Sequence, residues 1–267
     1  MSTDALDRDA GVQARVVAAL AARALRSQFR RAQFLLPSFV LPLLLLAVVA
    51  SGTSSARRLP GFPSTGAYVG FVVAGTLLQG ALLAGLTAGI ALAADIEGGF
   101  FDRLLTAPVQ RVSIVLGRVS GSIVLGVVQA SLFLAVAFLF GARYQGGVPG
   151  IALAIAIAAL AAGGMAGLAS AIALRTGSLS LLQNLFPIVF VFLFTAPAFF
   201  PRAFLGGALR HVTVFNPLTY VVEGIRGALH DAPALGNPWR GILAAVGLLA
   251  ATTALSVLAM RGRLRTR

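Results

Sequence analysis

Long apolar stretches are the strongest constraint on how this chain can fold. They lie at about 34–53, 67–94, 114–141, 149–174, 180–201 and 239–260. An α-helix needs about 20 such residues to cross a hydrocarbon core about 30 Å thick. The stretches lack the alternation of apolar and polar residues that barrel strands show, and 58% of all residues are hydrophobic. The sequence therefore predicts an all-α membrane protein with six transmembrane helices in one domain, residues 1–267.

The arginines indicate the orientation of these spans. All 21 basic residues are arginine, against 8 acidic residues, and they fall mainly between the apolar stretches. In a soluble protein this imbalance would suggest nucleic acid, but in a membrane protein basic residues mark cytoplasmic segments. Placing both termini in the cytoplasm gives the cytoplasmic segments twice as many arginines as the other side. We expect a multi-pass plasma-membrane protein that binds no nucleic acid.

Residues 12–33 are predicted to form an amphipathic helix on the membrane surface. Its basic side carries Arg15, Arg23, Arg26 and Arg30, and its apolar side carries Val17, Leu20, Ala21 and Ala24, with Arg31 following next to Arg30 in the same helix. A helix of this kind is attracted to an anionic leaflet. The alternative is a soluble, frayed leader in which the spacing arises by chance.

The sequence excludes several kinds of chemistry. A P-loop ATPase site needs a lysine that reaches the phosphates, and this chain has no lysine. It has no cysteine, no G-x-S-x-G or H-E-x-x-H motif, and too few histidines to suggest a metal centre. We therefore expect a chain that is not an enzyme and binds no cofactor or metal, so any transport must draw on an external energy source.

The segment between the second and third stretches, residues 96–108, is predicted to form a short amphipathic helix. Gly98 and Gly99 should end the preceding span, and Pro108 should end the short helix. Between them apolar and charged residues alternate at helical spacing: Phe100, Phe101, Asp102, Arg103, Leu104, Leu105 and Thr106. An exposed apolar edge on a loop needs a membrane surface or a protein partner. The alternative is a solvated loop in which Asp95, Glu97, Asp102 and Arg103 form incidental salt bridges.

Two motifs resemble those of permease subunits of type-2 ABC exporters, especially the daunorubicin-resistance branch. The first is Phe-Asp-Arg-Leu-Leu-Thr-Ala-Pro at 101–108, and the second is Asn-Pro-Leu-Thr-Tyr-Val-Val-Glu-Gly-Ile-Arg-Gly at 216–227. The resemblance implies the type-2 ABC exporter fold. It also implies a second permease copy or close paralogue and two ATP-binding subunits, which hold the ATP and Mg²⁺.

The resemblance also implies roles for particular residues. Glu97 to Pro108 would form a coupling helix, in which Phe101, Leu104 and Leu105 enter a groove on the ATPase and Glu97, Asp102 and Arg103 form a polar rim. The basic helix from Arg23 to Arg31 would be a second contact with the ATPase. Residues 203–232 would form an outer, re-entrant segment containing Asn216, Pro217, Tyr220, Glu223 and Arg226, in which Glu223 could pair with Arg226.

Polar residues inside the apolar stretches are candidates for a substrate path. They are Gln79, Gln129, Gln183 and Asn184, and the aromatic Phe190 lies close by in the sequence. Hydrogen bonding between helices is the alternative use of such groups. The apolar spans suit an amphipathic, lipid-like or drug-like cargo that is exported from the cytoplasm. The competing functions are a transporter driven by an ion gradient and a membrane scaffold that transports nothing.

Glycines and prolines give two further expectations about the spans. Small residues recur at close-packing spacing, at Gly75, Gly80, Gly85, Gly89, Gly163, Gly164 and Gly167. They predict close helix packing within one bundle, with a transport groove or dimer seam as alternatives. Prolines are expected to kink the first and fifth spans, at Pro37, Pro42, Pro187 and Pro197.

Overall fold

The computed structural model describes residues 3–30, 32–52, 67–106, 110–199, 206–231 and 235–265, and these ranges contain helices and turns but no strand. The helices are α1 Thr3–Arg30, α2 Ala32–Gly52, α3 Ala67–Glu97, α4 Phe100–Thr106, α5 Arg111–Leu139, α6 Gly147–Thr176, α7 Leu179–Asn184, α8 Phe186–Thr195, α9 Ala208–Phe215, α10 Pro217–His230 and α11 Pro238–Arg265. The prediction of an all-α chain is confirmed for these residues.

Four helices in the described ranges are long and apolar enough to cross a membrane, namely α3, α5, α6 and α11. They correspond to the predicted second, third, fourth and sixth spans. Within α1 and α2, the segments Gly11–Arg30 and Leu35–Val48 meet at an angle of 72° and together give a fifth candidate span. The described residues therefore contain four or five candidate spans, and the count of six stays a prediction.

The predicted fifth span, 180–201, is not one continuous helix. It is broken at Leu185 into α7 and α8, and Pro187 lies in the first turn of α8. Proline lacks the N–H that a helix interior needs, so a helix restarts at proline more readily than it continues through it. Ala196 is extended, as expected for a residue before proline, and α8 ends at Thr195. By contrast, Pro37 and Pro42 both lie inside α2.

The centre of the bundle is α3, whose apolar stretch is buried on all sides. Its glycines let neighbouring backbones approach: a Cβ atom on Gly85 would lie 2.4 Å from the Cβ of Met165, and one on Gly89 would lie 2.4 Å from the Cβ of Ala169. Both of these neighbours are on α6, whose Gly167 in turn lies against α11. The prediction that these glycines pack helices within one bundle is confirmed.

Helix α1 packs along α5 through the apolar side that the sequence predicts. A Cβ atom on Gly117 would lie 2.5 Å from the Cβ of Leu20, and Ala24 is buried. On the basic side Arg26 and Arg30 are exposed, whereas Arg31 lies outside the described residues. The position of α1 at a membrane surface stays a prediction.

Helix α10 runs from the middle of the bundle to one end. Leu218, near its start, lines a cavity together with Leu82 and Gly164, which lie near the middle of α3 and α6. At its other end His230 packs against Gly70, near the start of α3. The turn between α5 and α6 lies at the same end of the bundle as His230. Helix α4 lies at the opposite end, where α3 finishes, and we call this the α4 end.

Candidate functional site: a coupling region and two cavities

The turn and helix that follow α3 have the form that the sequence predicts. Gly99 adopts a left-handed conformation with φ 69°, which glycine enters without the steric cost that other residues meet. The N–H of Gly98 donates to the carbonyl of Ala94 at 3.0 Å, closing the end of α3. The short helix α4 then ends at Thr106, and Pro108 lies outside the described residues.

One of the proposed ATPase-binding side chains is not available for docking. Phe101 is 0% exposed and belongs to the chain's own core, so in this structure its side chain is not presented to a partner, and the predicted contact with the ATPase is not supported by its position. Leu104 and Leu105 are half-buried against the same core. Arg103 and Thr106 are exposed and Asp102 is half-buried, so a polar edge of α4 faces outward.

A buried carboxylate, Asp95, joins three helices at the α4 end. Its Oδ2 accepts a hydrogen bond from Nη2 of Arg118 on α5 at 2.5 Å, and both side chains are 8% exposed. Arg23 of α1 lies 3.9 Å from the same oxygen. A buried ion pair with a hydrogen bond fixes the relative position of the helices that carry it, so α3 and α5 are held together here.

Arg23 also contacts the short helix α4. Its guanidinium carbon lies 3.5 Å from the centre of the Phe100 ring, which is a cation–π contact. The predicted basic residue Arg23 therefore faces the bundle, unlike Arg26 and Arg30 on the same helix. Sequence periodicity placed the three on one face but could not show that Asp95 would draw one of them inward.

Glu97 makes a contact across 82 residues of sequence. Its Oε1 accepts a hydrogen bond from the backbone N–H of Leu179 at 2.7 Å. Leu179 is the first residue of α7, and Glu97 is the last residue of α3. Glu97 is exposed, but its carboxylate is engaged within the chain.

The second motif begins with a helix cap. Asn216 accepts a hydrogen bond from the N–H of Leu218 at 2.9 Å and donates to Oγ1 of Thr195 at 3.1 Å. Pro217 follows in the first turn of α10, where its missing N–H costs nothing. Asn-Pro thus starts α10 and ties it to the end of α8. Tyr220 is half-buried, and its hydroxyl donates to the carbonyl of Val214 at 3.0 Å.

Arg226 is 2% exposed and is held by backbone and ring contacts. Its Nε donates to the carbonyl of Phe71 at 3.3 Å, and its Nη2 donates to the carbonyl of Ala198. The guanidinium carbon lies 3.7 Å from the centre of the Phe71 ring. Glu223, which is half-buried, acts on the same guanidinium electrostatically. Arg226 therefore fastens α10 to α3 and to the segment after α8.

The candidate path residues fall into two groups. Gln79 and Gln129 are each 1% exposed, and Nε2 of Gln129 donates to Oγ of Ser38 at 2.9 Å, so Gln129 joins α5 to α2. Gln183 and Asn184 are exposed. Phe190 is half-buried in a row of rings, 5.7 Å from Phe186 by ring centres.

Gln183 lines a cavity of about 390 Å³ between α2, α3 and the α7–α8 segment. The remaining lining is Gln33, Pro37, Ser38, Leu41, Leu83, Leu86, Thr87, Ile90 and Phe186. Apolar groups dominate this wall, and four side chains in it can form hydrogen bonds. We call it the α2–α7 cavity. The structure does not bring Gln79, Gln129, Asn184 or Phe190 into its lining.

A second cavity, of about 170 Å³, lies on the other side of the α7–α8 segment. Leu185, Ile188, Val189 and Phe192 form one wall, and the start of α10 closes another. Asn216 contributes a polar side chain to the lining, but its amide is already bonded to Thr195. The α7–α8 segment therefore separates two cavities.

Sequence reasoning did not identify Arg118 as a site residue, and it did not predict that Asp95 would be buried and joined to other helices. A charged residue near a span end with an opposite charge early in the next span is a usable signal, because charges in apolar spans generally pair. The described residues hold no cluster of metal-binding side chains.

Taken together, the described residues form long apolar helices around a fully buried central span, with a short amphipathic helix at one end, as expected for a multi-pass membrane protein. A sequence profile described as ABC-2 type transporter matches residues 15–230. The chain belongs to this family, and the resemblance stated from its two motifs is confirmed.

Individual relatives agree with this assignment. The chain is 29% identical over 161 residues to a protein of Porphyra purpurea named as a transport permease, ycf38. The matched region covers 60% of this chain and 55% of the relative. The match to its counterpart in Pyropia yezoensis is 27% identical and covers 58% and 54%. The chain therefore spans little more than half the length of these two curated relatives.

A third relative is the daunorubicin resistance ABC transporter permease protein DrrB1 of Streptomyces coeruleorubidus. It is 22% identical over 207 residues, which are 75% of this chain and 71% of that protein. The family points to a transport subunit rather than an enzyme.

Proposed function

We propose that this chain is the membrane-spanning subunit of an ABC exporter and moves an amphipathic, lipid-like or drug-like substrate out of the cytoplasm. A separate subunit would bind Mg²⁺ and ATP and hydrolyse the ATP. The observation that carries the proposal is the match of the ABC-2 family to residues 15–230, which include α4 and the nearby Asp95 contacts that join α1, α3 and α5. The absence of lysine supports a separate ATPase, since a P-loop needs one.

The outward edge of α4 is the proposed docking surface for the ATPase. Arg103 and Thr106 are exposed there, and α1 presents Arg26 and Arg30 as a second basic surface. The Asp95 pair with Arg118 and the Arg23 contact with Phe100 bind this region to α1, α3 and α5. A push on α4 would therefore act on the bundle as a whole.

In this proposal six spans place both termini in the cytoplasm of the plasma membrane. Two copies, or one copy and a close paralogue, assemble with two ATP-binding subunits. The α4 end is then cytoplasmic, and α10 is a re-entrant helix that reaches the middle of the bundle from the outer side. The depth of Leu218, beside Leu82 and Gly164, supports that placement.

The α2–α7 cavity is the proposed binding site for substrate. Its mainly apolar wall would hold a hydrophobic body, while the exposed side chains of Gln33 and Gln183 could bind a polar head. This composition favours an amphipathic cargo over a sugar or an ion.

The proposal is tested in vesicles that contain the chain with its ATPase subunit and a fluorescent amphipathic cargo. We expect flux that needs ATP and persists when ionophores collapse ion gradients. Flux that follows the gradient and ignores ATP would establish the competing secondary transporter. A chain that binds its partner but moves no cargo under either condition would be a scaffold.

A further inference from the structure

Glu97 links the α4 region to a wall of the α2–α7 cavity. Its carboxylate accepts the N–H of Leu179 at 2.7 Å, and α7 continues from Leu179 to Gln183, which lines the cavity. Glu97 lies only three residues before Phe100, where α4 begins. One side chain therefore connects the end of α3, beside the proposed docking helix, with the segment that borders the proposed substrate site.

The start of α7 already has an ordinary helix cap that does not involve Glu97. Oγ of Ser178 accepts the N–H of Leu181 at 3.3 Å. Glu97 adds a charge-assisted hydrogen bond to a different N–H, and such bonds are stronger than neutral ones. The Glu97 contact is therefore an added tether from another helix.

Helix α7 is a short unit with a joint at each end. Gly177, with φ 65°, separates it from α6, and the break at Leu185 separates it from α8. The end of α6 is itself fixed, because Nη1 of Arg263 on α11 donates to the carbonyl of Leu174 at 2.9 Å. A displacement of α7 can thus occur at the two joints while α6 stays in place.

We propose that Glu97 is a positioning residue that transmits movement of the α4 region to α7 and so changes the wall of the α2–α7 cavity. The inference rests on the proposed function. It differs from the role that the family resemblance implies, in which Glu97 belongs to the polar rim that meets the ATPase. The two roles need different properties: a tether needs the reach of the side chain and an acceptor oxygen, whereas a charged rim needs the charge.

Two exposed substitutions separate these roles. Glu97→Gln keeps the length and an acceptor oxygen but loses the charge. Glu97→Asp keeps the charge but is one methylene shorter, so its carboxylate is withdrawn from the N–H of Leu179. Ser178→Ala is the matched control, because it weakens the start of α7 without touching the tether. Neither Glu97 nor Ser178 is buried in the core, so all three variants should assemble normally.

The measurement is flux per ATP hydrolysed by the complete complex in vesicles, with binding of the ATPase subunit checked by co-purification. We expect Glu97→Asp to lower flux per ATP about tenfold, the scale of one charge-assisted hydrogen bond, with the ATPase still bound and hydrolysing ATP. Glu97→Gln and Ser178→Ala should stay within about threefold of the wild type, since acceptor reach and the tether are kept.

The opposite pattern would overturn the inference: a normal Glu97→Asp beside a Glu97→Gln that loses the ATPase assigns Glu97 to the docking rim. Equal flux per ATP in all variants would also overturn it, and leave the proposed function intact. Absence of ATP-dependent flux in the wild type would instead remove the proposed function and this inference together.

Discussion

The buried pair of Asp95 and Arg118 should contribute far more to stability than an ordinary ion pair. Both side chains are 8% exposed and their charged atoms lie 2.5 Å apart. Removing one partner leaves the other charge buried, which costs about 3–5 kcal/mol. We therefore expect Asp95→Leu and Arg118→Met each to lower the free energy of unfolding by that amount.

The double variant separates this pair from a general loss of packing. With both charges gone and apolar side chains in their place, most of the loss should be recovered, so the coupling energy should be about 3 kcal/mol or more. Arg23→Met is the control. Its side chain is 40% exposed and lies 3.9 Å from Asp95, so we expect a loss of only about 1 kcal/mol.

The assay is reversible unfolding in mixed detergent micelles, followed by circular dichroism as SDS is added. Single-variant losses below about 1 kcal/mol, or losses that simply add in the double variant, would show that the pair is solvated and refute the reasoning.

Three further outcomes are expected. Gly85→Ala should lower the melting temperature in detergent, at a cost of about 1–3 kcal/mol of stability, because the new Cβ would lie 2.4 Å from an atom of α6. Gly247→Ala, which has open space around it, should leave the melting temperature unchanged, and equal effects of the two substitutions would contradict the close packing. Gln183→Leu should raise the KM for an amphipathic cargo, whereas Gln129→Leu should cost about 0.6–1.5 kcal/mol of stability and leave the KM unchanged. A KM that rises in Gln129→Leu but not in Gln183→Leu would place the substrate site outside the α2–α7 cavity. Burial raises the pKa of Tyr144 above its ordinary value of 10.0, so the stability that its neutral hydroxyl contributes is complete below pH 10.0 and is lost as the pH rises beyond it. Tyr144→Phe should cost about 1 kcal/mol of stability at neutral pH and should remove this alkaline loss. An alkaline stability profile that is unchanged in the variant would refute the assignment.

Hydropathy alone located most of the long helices, because the length of an apolar run is a local property. Hydropathy did not predict the break in 180–201, although this stretch contains Gln183 and Asn184 and the kink expected at Pro187 lies beside the break at Leu185. An apolar run shows which residues are surrounded by lipid or by the protein interior. Whether the run forms one continuous helix depends on backbone hydrogen bonds, and proline removes one of them. The glycines at Gly85 and Gly89 were read correctly because close approach needs only the absence of a side chain.

The site was less predictable because its decisive contacts are distant in sequence. The apolar periodicity around Phe101 predicted an amphipathic helix, but periodicity cannot tell whether the apolar side meets a partner or the chain's own core. Asp95 meets Arg118 across 23 residues, and Glu97 meets Leu179 across 82. Such pairings depend on the turn at Gly99 and on how α3, α5 and α7 pack, which local sequence does not encode.

The most direct test of the central claim is site-specific cross-linking from α4 to the ATPase subunit in the intact complex. The chain has no cysteine, so Arg103→Cys and Arg240→Cys each offer one labelling site, both exposed and at opposite ends of the bundle. We expect the cross-linker at position 103 to join the chain to a P-loop ATPase and the one at position 240 to join nothing of that kind. Cross-links to the ATPase from position 240, or none from position 103 while the complex stays assembled, would contradict the claim that α4 is where the ATPase acts.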